Sequence, residues 1–232
     1  KEGSLFSVDT RLRPSGSSGP LVVSRPALIK YHMGDTSIWE RQSLIKARSV
    51  AGDAAFGQEV LKELEEALYA RPLKKEDVRE MRRIRSRMET EIAKEDKTRY
   101  NVKTGRGAAV DIEFLAQALQ LLHGGRAGLR TQYTSKALVR LRGEGIISSG
   151  DYAVLKDAYA FYRLLETRLR IVHDRPEGYL YTDPAGISSL AKRAGYTGED
   201  AARRLLEDYK NFSDKVRDIY TKTLEQVEAD AE

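Results

Sequence analysis

The stretch of this sequence that most constrains its fold is Ile112–Leu122, in which apolar side chains cover most of a helical surface. Ile112, Leu115, Leu119 and Leu122 fall on one stripe at helical spacing, and further apolar residues lie beside it. A helix with so little polar surface must be enclosed by other helices. It therefore predicts the centre of a helical bundle and a mainly α fold.

Further helices are predicted from the spacing of apolar residues, from capping residues and from Gly or Pro breakers. In one of them, 151–173, apolar residues recur at alternating steps of three and four, which is typical of bundle packing. The predicted helices are 25–31, 38–50, 54–69, 75–93, 112–122, 135–143, 151–173, 184–194 and 199–227.

Residues 5–24 have a different pattern, which predicts a β-hairpin. Apolar and polar residues alternate from Phe6 to Arg13, a turn rich in Ser, Gly and Pro follows, and a second apolar strand closes the hairpin. The polar face of the first strand carries Asp9 beside two arginines, Arg11 and Arg13. Because Asp can hold a divalent ion and Arg binds phosphate oxygens, this face suits a metal–nucleotide site. The residues alone favour an ordinary hairpin with a surface ion pair.

A second candidate site is the glycine-rich segment Lys103–Gly107, which leads into the central helix. Glycines let a backbone approach a ligand, and a helix N-terminus attracts anions, so the segment is a weak phosphate-binding signal. The alternative is structural, because Asp111 is a plain N-cap candidate and Glu113 is favourable in the first helical turn. The residues alone favour this structural role.

Composition limits the class of protein. The 232 residues, 41% of them hydrophobic, can bury a sizeable core. Forty basic and 35 acidic residues give a formal net charge of +5, a mixed surface that permits phosphate-rich ligands but does not indicate nucleic-acid binding. The sequence has no cysteine, which excludes disulfides and suits a cytoplasmic protein. No apolar run is long enough to span a membrane, so no membrane partner is expected.

The segments VDTRLRPSGSSGPLVVS, SIWERQSLIKARSVAGD and NVKTGRGAAVDIEFLAQALQLLHGG resemble, in that order, blocks of the glutamine synthetase adenylyltransferase (glutamate–ammonia-ligase adenylyltransferase) family. In that family a DNA-polymerase-β-like nucleotidyltransferase domain precedes a helical domain. The resemblance implies that residues 1–53 are the C-terminal part of a partial α/β nucleotidyltransferase domain and that residues 54–232 form an α-helical bundle. The family's upstream Gly-Ser…Asp-x-Asp segment has no counterpart here, so we expect a fragment that is inactive alone.

The resemblance also implies a reaction, in which AMP passes from ATP, with Mg²⁺, to a tyrosine of glutamine synthetase under the control of a PII signalling protein. Asp9 would bind the metal. Lys46 and Arg48 would lie beside the triphosphate, with Glu40 orienting one of them, whereas composition alone favours a solvated basic helix face there. The catalytic residues so implied are Asp9, Arg11, Lys103, Asp111 and Glu113, and the nucleotide-binding residues are Arg11, Arg13, Gly16, Glu40, Lys46, Arg48, Lys103, Gly105 and Gly107.

The glycine-rich segment departs from the family pattern Lys-x-Gly-x-Gly-Gly-Leu-x-Asp-Ile-Glu-Phe at Ala108 and Ala109. If the family's Gly at position 108 needs a positive φ, Ala108 would strain the loop by about 1 kcal/mol. We also expect Lys103–Glu113 to face Asp9 across one site, since a triphosphate with its metals needs acids on one wall and donors on another.

Several alternatives stay open. The family enzyme has one half that adenylylates and one that removes AMP by phosphorolysis; LRPSG and RLRIVHDRPEG resemble the adenylylating, C-terminal half. The chain could instead be a helical interaction module that docks glutamine synthetase or PII. A nucleic-acid-directed nucleotidyltransferase would need basic stripes with aromatic residues, and the interleaved acids argue against it.

Overall fold

The computed structural model of the chain describes residues 8–34, 36–173 and 178–232. These residues are mainly helical, which confirms the predicted fold class. The chain divides into two compact units, Lys1–Pro72 and Leu73–Glu232. In the described ranges, no helix combines the length and the apolar character that a membrane crossing requires.

The described part of the first unit contains three α-helices. Helix α1 begins with Pro26 in its first turn, where the missing N–H has no helical partner to lose. It packs against α3, and the Arg25 guanidinium binds the carboxylates of Glu59 and Glu63 at 2.8 and 2.6 Å. The three helices are α1 (Arg25–Met33), α2 (Ile38–Leu44) and α3 (Ala54–Ala70).

The division between the compact units does not coincide with the predicted boundary after residue 53. The Arg41 guanidinium, on α2, donates to the carbonyls of Leu68 and Arg71 at the C-terminal end of α3, at 3.1 and 2.7 Å. Together with the packing of α1 on α3, these bonds attach α3 to the first unit. The assignment of residues 1–53 to a nucleotidyltransferase domain stays a prediction.

The predicted hairpin does not form in its described part, residues 8–24. The chain turns at Arg11, and Gly16–Ser18 form a short 3₁₀ helix instead of continuing a strand. Val8 and Leu12, which belong to the apolar face of the predicted strand, are 82% and 60% exposed. A two-stranded hairpin is marginal without a third strand or a covering helix, so local turn formation decides the conformation here. The predicted strand residues outside the described part are Leu5, Phe6 and Ser7.

Helix α2 is shorter than predicted. It ends at Leu44, where bonds from Lys46 N–H to the Ser43 carbonyl and from Ala47 N–H to the Leu44 carbonyl tighten the last turn. The helix therefore stops before Lys46 and Arg48, which the sequence placed inside it.

The second unit is a bundle around α5, which packs against α4, α6, α7 and α9 as its apolar surface predicted. Ile112 and Leu115 on this helix are completely buried. Helix α4 continues as a π-helix, Met88–Ala93, where one uninterrupted helix was predicted. The helices of this unit are α4 (Lys75–Arg87), α5 (Ala109–Leu122), α6 (Thr134–Gly143), α7 (Ser149–His173), α8 (Pro184–Arg193) and α9 (Ala201–Asp230).

Two short strands were not predicted. Strand β1 (Arg99–Asn101) pairs antiparallel with β2 (Tyr179–Tyr181), so that Tyr100 lies opposite Leu180. Three residues are too few to show a period-two pattern, and the partner strand is distant in the sequence. The pairing matters because β1 ends one residue before the glycine-rich segment, with only Val102 between them.

Candidate functional site

Asp9 and Arg11 form an exposed ion pair in the first unit. The Arg11 Nε and Nη2 atoms lie 2.9 and 2.6 Å from the two carboxylate oxygens, and the Arg11 backbone N–H donates to Asp9 Oδ1 at 3.0 Å. These hydrogen bonds lower the pKa of Asp9 from 3.8 to about 2. The Asp9 side chain keeps 56% of its surface exposed, so a charged carboxylate is reachable by a cation at neutral pH.

One carboxylate does not make a metal centre. A site for two Mg²⁺ ions needs several oxygen ligands. In the part of the chain that the structure describes, no three His, Cys, Asp or Glu side chains are grouped to hold a metal ion. The described residues alone therefore do not fit a two-metal centre, to which Asp9 would contribute a single carboxylate.

Arg13 holds the loop together. Its guanidinium donates to the carbonyls of Gly19, Thr10 and Ser17 at 2.9, 2.7 and 3.1 Å. Gly16 sits in the same loop with a φ of +57°, a conformation that glycine adopts without cost. A phosphate contact for Arg13 or Gly16 stays a prediction, but the contacts seen for Arg13 are structural.

Glu40 caps its own helix. Its carboxylate accepts from the backbone N–H of Ser37 at 3.0 Å, which is part of a capping box at the start of α2, and also from Ser37 Oγ and the Tyr31 hydroxyl, each at 2.6 Å. Burial would raise the pKa of Glu40, but the bonds from Ser37 and Tyr31 outweigh it and hold that pKa below its usual range. These bonds give Glu40 a different task from the expected orientation of Lys46 or Arg48, whose side chains are exposed.

In the second unit, the glycine-rich segment is folded on its own hydrogen bonds. Asn101 Oδ1 accepts from the backbone N–H groups of Lys103 and Thr104 at 3.0 and 2.9 Å. The Asn101 carbonyl accepts from Gly105 N–H at 2.9 Å. Asn101, at the end of β1, therefore organises the first half of the loop.

Carboxylates bind the second half of the loop. Glu95 Oε2 accepts from the backbone N–H of Arg106 at 3.2 Å, and Asp111 Oδ2 accepts from that of Gly107 at 2.8 Å. Every backbone N–H from residue 103 to residue 110 thus donates to a protein acceptor. Phosphate roles for Gly105 and Gly107 stay predictions, but the amides that would bind an anion are already engaged.

Gly107, rather than residue 108, needs the left-handed conformation. Its φ is +66°, and a Cβ there would lie 1.9 Å from the Ser213 carbonyl oxygen. The Tyr162 hydroxyl donates to the Gly107 carbonyl at 2.9 Å, which fixes the loop against α7. Ala108 has a φ of −85°, so the strain expected from its substitution for glycine is absent.

Asp111 lies at the centre of a buried ion network. Its carboxylate accepts from Arg85 Nε and, at 3.1 Å, from Arg217 Nη1. Arg85 Nη2 also donates to the Gly105 carbonyl at 2.5 Å, and Arg217 Nη2 lies 3.0 Å from Glu89 Oε2. Asp111 and Arg85 are 0% and 1% exposed at their side chains. Asp111 is not the predicted N-cap, because α5 begins at Ala109 and the carboxylate reaches back to the loop from inside the helix.

Glu113 points to a different partner. It accepts a hydrogen bond from the Tyr159 hydroxyl of α7 at 2.9 Å. Burial and the Glu113 charge raise the pKa of Tyr159 to about 12. Asp111 and Glu113, two residues apart, thus hold different parts of the bundle.

The exposed side of the loop carries its two cations, Lys103 and Arg106. Arg106 pairs with Asp214 at 2.7 Å, beside a cleft of about 270 Å³ that also contains Lys210. The structure therefore brings Lys103, Asp111 and Glu113 into one unit, and Asp9, Arg11, Arg13, Glu40, Lys46 and Arg48 into the other. A site shared by the two groups stays a prediction.

Sequence reasoning missed Arg85, Arg217 and Glu95. A signal for Arg85 was present, because it follows Val78 and Met81 at helical spacing and therefore lies on the buried stripe of α4. The many charged residues of that helix obscured this signal for Arg85. Arg217 and Glu95 carry no comparable pattern.

Comparisons with known proteins agree with this division of the chain. Residues 1–63 match the family model described as Glutamate-ammonia ligase adenylyltransferase, and residues 79–224 match the model described as GlnD PII-uridylyltransferase. Both descriptions name enzymes that transfer a nucleotidyl group, which is the class of protein to which the chain is related.

Two relatives that align with 90% of the chain indicate a particular family within that class. The bifunctional glutamine synthetase adenylyltransferase/adenylyl-removing enzyme of Hahella chejuensis is 34% identical over 90% of this chain, and that of Pseudomonas aeruginosa is 37% identical over 90%. The chain belongs to the glutamine synthetase adenylyltransferase family, and its residues 79–224 belong to the family that the GlnD PII-uridylyltransferase model describes. It spans 22% and 21% of the length of these two relatives.

Proposed function

We propose that this chain acts within a longer enzyme that transfers AMP from ATP to a tyrosine of glutamine synthetase. The observation that carries the proposal is its similarity, over 90% of its length, to bifunctional glutamine synthetase adenylyltransferase/adenylyl-removing enzymes. In this reaction the tyrosyl oxygen attacks the α-phosphorus of ATP and pyrophosphate leaves. The protein's task is to neutralise phosphate charge and to hold the reactants in line.

The exposed charges of the first unit support this role. Arg11 keeps Asp9 ionised, so Asp9 is the carboxylate that we propose as a ligand for Mg²⁺. The metal would supply charge neutralisation on the phosphates, and its other ligands would come from outside the described residues. Lys46 and Arg48 are exposed beyond the end of α2, where their long side chains can reach the triphosphate.

The buried groups of the second unit support a different task. Asp111, Arg85 and Arg217 hold the glycine-rich loop in one conformation, with the Lys103 side chain directed to solvent. We propose that Lys103 contacts phosphate through its ammonium group, while Gly105 and Gly107 shape the loop. PII as the controlling partner and the cytoplasm as the location are parts of the same proposal.

Radiolabel transfer tests this function. The longer polypeptide is incubated with ATP labelled at the α-phosphate and with purified glutamine synthetase, and label on the acceptor tyrosine is measured. We expect Mg²⁺-dependent labelling, as the adenylylating half would give. Labelled glutamine synthetase that loses AMP to inorganic phosphate, with no forward transfer, would assign the chain to the deadenylylating half.

A further inference from the structure

Many of the surface charges of the second unit lie in ion pairs. Arg79 and Arg82 bind the Glu228 carboxylate at 2.7 and 3.0 Å, and Arg83 binds Glu80 at 2.7 Å. Such pairs leave little net field at the surface. One region differs, because the sequence from Gly124 to Gly143 has five basic residues and no acidic one.

Helix α6 displays this region. Its inner side buries Ala137, Leu138 and Leu141 against the bundle. Its outer side is exposed, and we call it the α6 face. The α6 face consists of Tyr133, Lys136, Val139, Arg140 and Arg142. Residues spaced three or four apart are neighbours on a helix, so these five side chains form one continuous surface.

Uncharged groups position the three cations of the α6 face. Lys136 Nζ lies 4.8 Å from the centre of the Tyr133 ring, and the Arg142 guanidinium lies 4.7 Å from that of Tyr152. Arg140 Nη1 donates to the Arg130 carbonyl at 2.6 Å. Among the described residues, no ion pair neutralises Lys136, Arg140 or Arg142. Their charges are therefore available to an acidic partner.

Two exposed apolar side chains lie among these cations. Tyr133 is 52% exposed and Val139 is 47% exposed. Tyr and Arg are the residue types that contribute most to protein interfaces when a partner covers them. The α6 face thus combines positive charge with a small apolar surface.

We propose that the α6 face docks an acidic segment of the protein that receives AMP, with an apolar side chain of that segment covering Val139. This inference rests on the proposed function and concerns a surface that takes no part in the chemistry. Complementary charge would steer the encounter, and the apolar contact would hold the complex.

A protein fits this face better than a nucleic acid does. Base stacking needs open aromatic faces, and the rings of Tyr133 and Tyr152 are already approached by cations of this unit. Val139 offers nothing to a phosphate backbone. The face is also short, since the ten residues of α6 span about 15 Å.

Direct binding tests the proposal. Purified glutamine synthetase is bound to immobilised chain 1–232, at low and at physiological ionic strength. We expect the double substitution Lys136→Glu with Arg140→Glu to weaken binding about tenfold or more at low salt, and less at higher salt. Val139→Ser should weaken binding at both salt concentrations, because the apolar contact is not screened.

Arg83→Glu with Lys156→Glu is the matched control. Both cations are exposed in the same unit and pair with acids, Glu80 at 2.7 Å and Asp157 at 3.3 Å, and the net charge changes equally. Melting temperatures of all variants show that the bundle is folded.

The outcomes separate docking from catalysis. If the wild-type chain does not bind, or if the α6 variants bind as it does, the docking proposal fails even where AMP transfer is observed. If binding depends on the α6 face but the longer enzyme transfers no AMP, the docking surface stands and the proposed reaction fails. Loss of binding to a single-stranded RNA oligonucleotide in the α6 variants, with glutamine synthetase binding unchanged, would assign the face to nucleic acid.

Discussion

Asp111 accepts a hydrogen bond from the backbone N–H of Gly107 at 2.8 Å, so a fully buried carboxylate holds the one loop glycine that has a left-handed conformation. Arg85 from α4 and Arg217 from α9 neutralise that carboxylate. The loop is therefore fixed by charges from two other helices.

The Arg85 side chain should be essential to the stability of the second unit. We expect Arg85→Ala to lower the free energy of unfolding by about 3–5 kcal/mol, because it leaves Asp111 charged, buried and partly unpaired. Arg87→Ala is the control, since Arg87 is exposed and pairs with Glu91 one turn away at 3.1 Å. Arg87→Ala should lower the free energy of unfolding by less than about 1 kcal/mol. Equal urea midpoints for the two variants would contradict the network.

Gly107 should tolerate no side chain. Gly107→Ala should lower the free energy of unfolding by about 2–4 kcal/mol, because the strain of a positive φ adds to a collision with the Ser213 carbonyl. Gly195 has a φ of +94° with open space around its Cβ position. Gly195→Ala therefore isolates the backbone strain, at about 1 kcal/mol. The prediction fails if chemical denaturation gives the two alanine variants the same stability.

Asp9 and Asp111 should respond oppositely to amide substitution in the longer enzyme. Asp9→Asn should remove most of the AMP transfer rate, since a lost metal ligand costs several kcal/mol of transition-state stabilisation, and should leave the melting temperature unchanged. Asp111→Asn should lower the melting temperature, since it removes the counter-charge that the buried Arg85 and the half-buried Arg217 share. The assay is label transfer beside thermal unfolding. A rate loss of equal size in both variants, with unaltered melting, would show that the two roles are wrongly assigned.

The Tyr159 hydroxyl should lose its proton at a higher pH than an ordinary tyrosine does. Burial and Glu113 raise its pKa from 10.0 to about 12, so the folded protein keeps this proton where the unfolded chain has lost it. By linkage, its contribution to stability is complete below pH 10 and declines as the pH rises towards 12.

Ultraviolet difference titration of the wild type against Tyr159→Phe isolates this hydroxyl. In Glu113→Gln, we expect the Tyr159 transition to move to lower pH and to remain above 10, because burial is the larger cause. An unchanged transition in Glu113→Gln would show that the carboxylate does not act on Tyr159.

The sequence alone predicted the central helix and its C-terminal end, although the helix begins at Ala109 and not at Ile112. The apolar stripe of α5 repeats every three or four residues, and it ends at Leu122 before His123 as predicted. Periodicity of this kind is local, and burial follows from it directly. The mainly α class and the family resemblance depended on the same contiguous stretches, and both were confirmed.

Tertiary structure decided what the sequence could not. The hairpin predicted at residues 5–24 had the right alternation, but in its described part, 8–24, the apolar side chains of Val8 and Leu12 are exposed and a turn forms instead. Strand β1 had no visible pattern and formed because β2 supplied its hydrogen bonds. Glycine spacing in residues 103–107 suggested a phosphate loop, yet Asn101, Glu95 and Asp111 occupy its amides.

Arg85 shows the physical reason. A charged residue in a charged helix is expected to face solvent, and only its pairing with the Asp111 carboxylate and its bond to the Gly105 carbonyl make its burial favourable. Local periodicity therefore determined which segments are helices. The pairing of groups distant in the sequence determined which charges are buried and which, as on the α6 face, remain free for a partner.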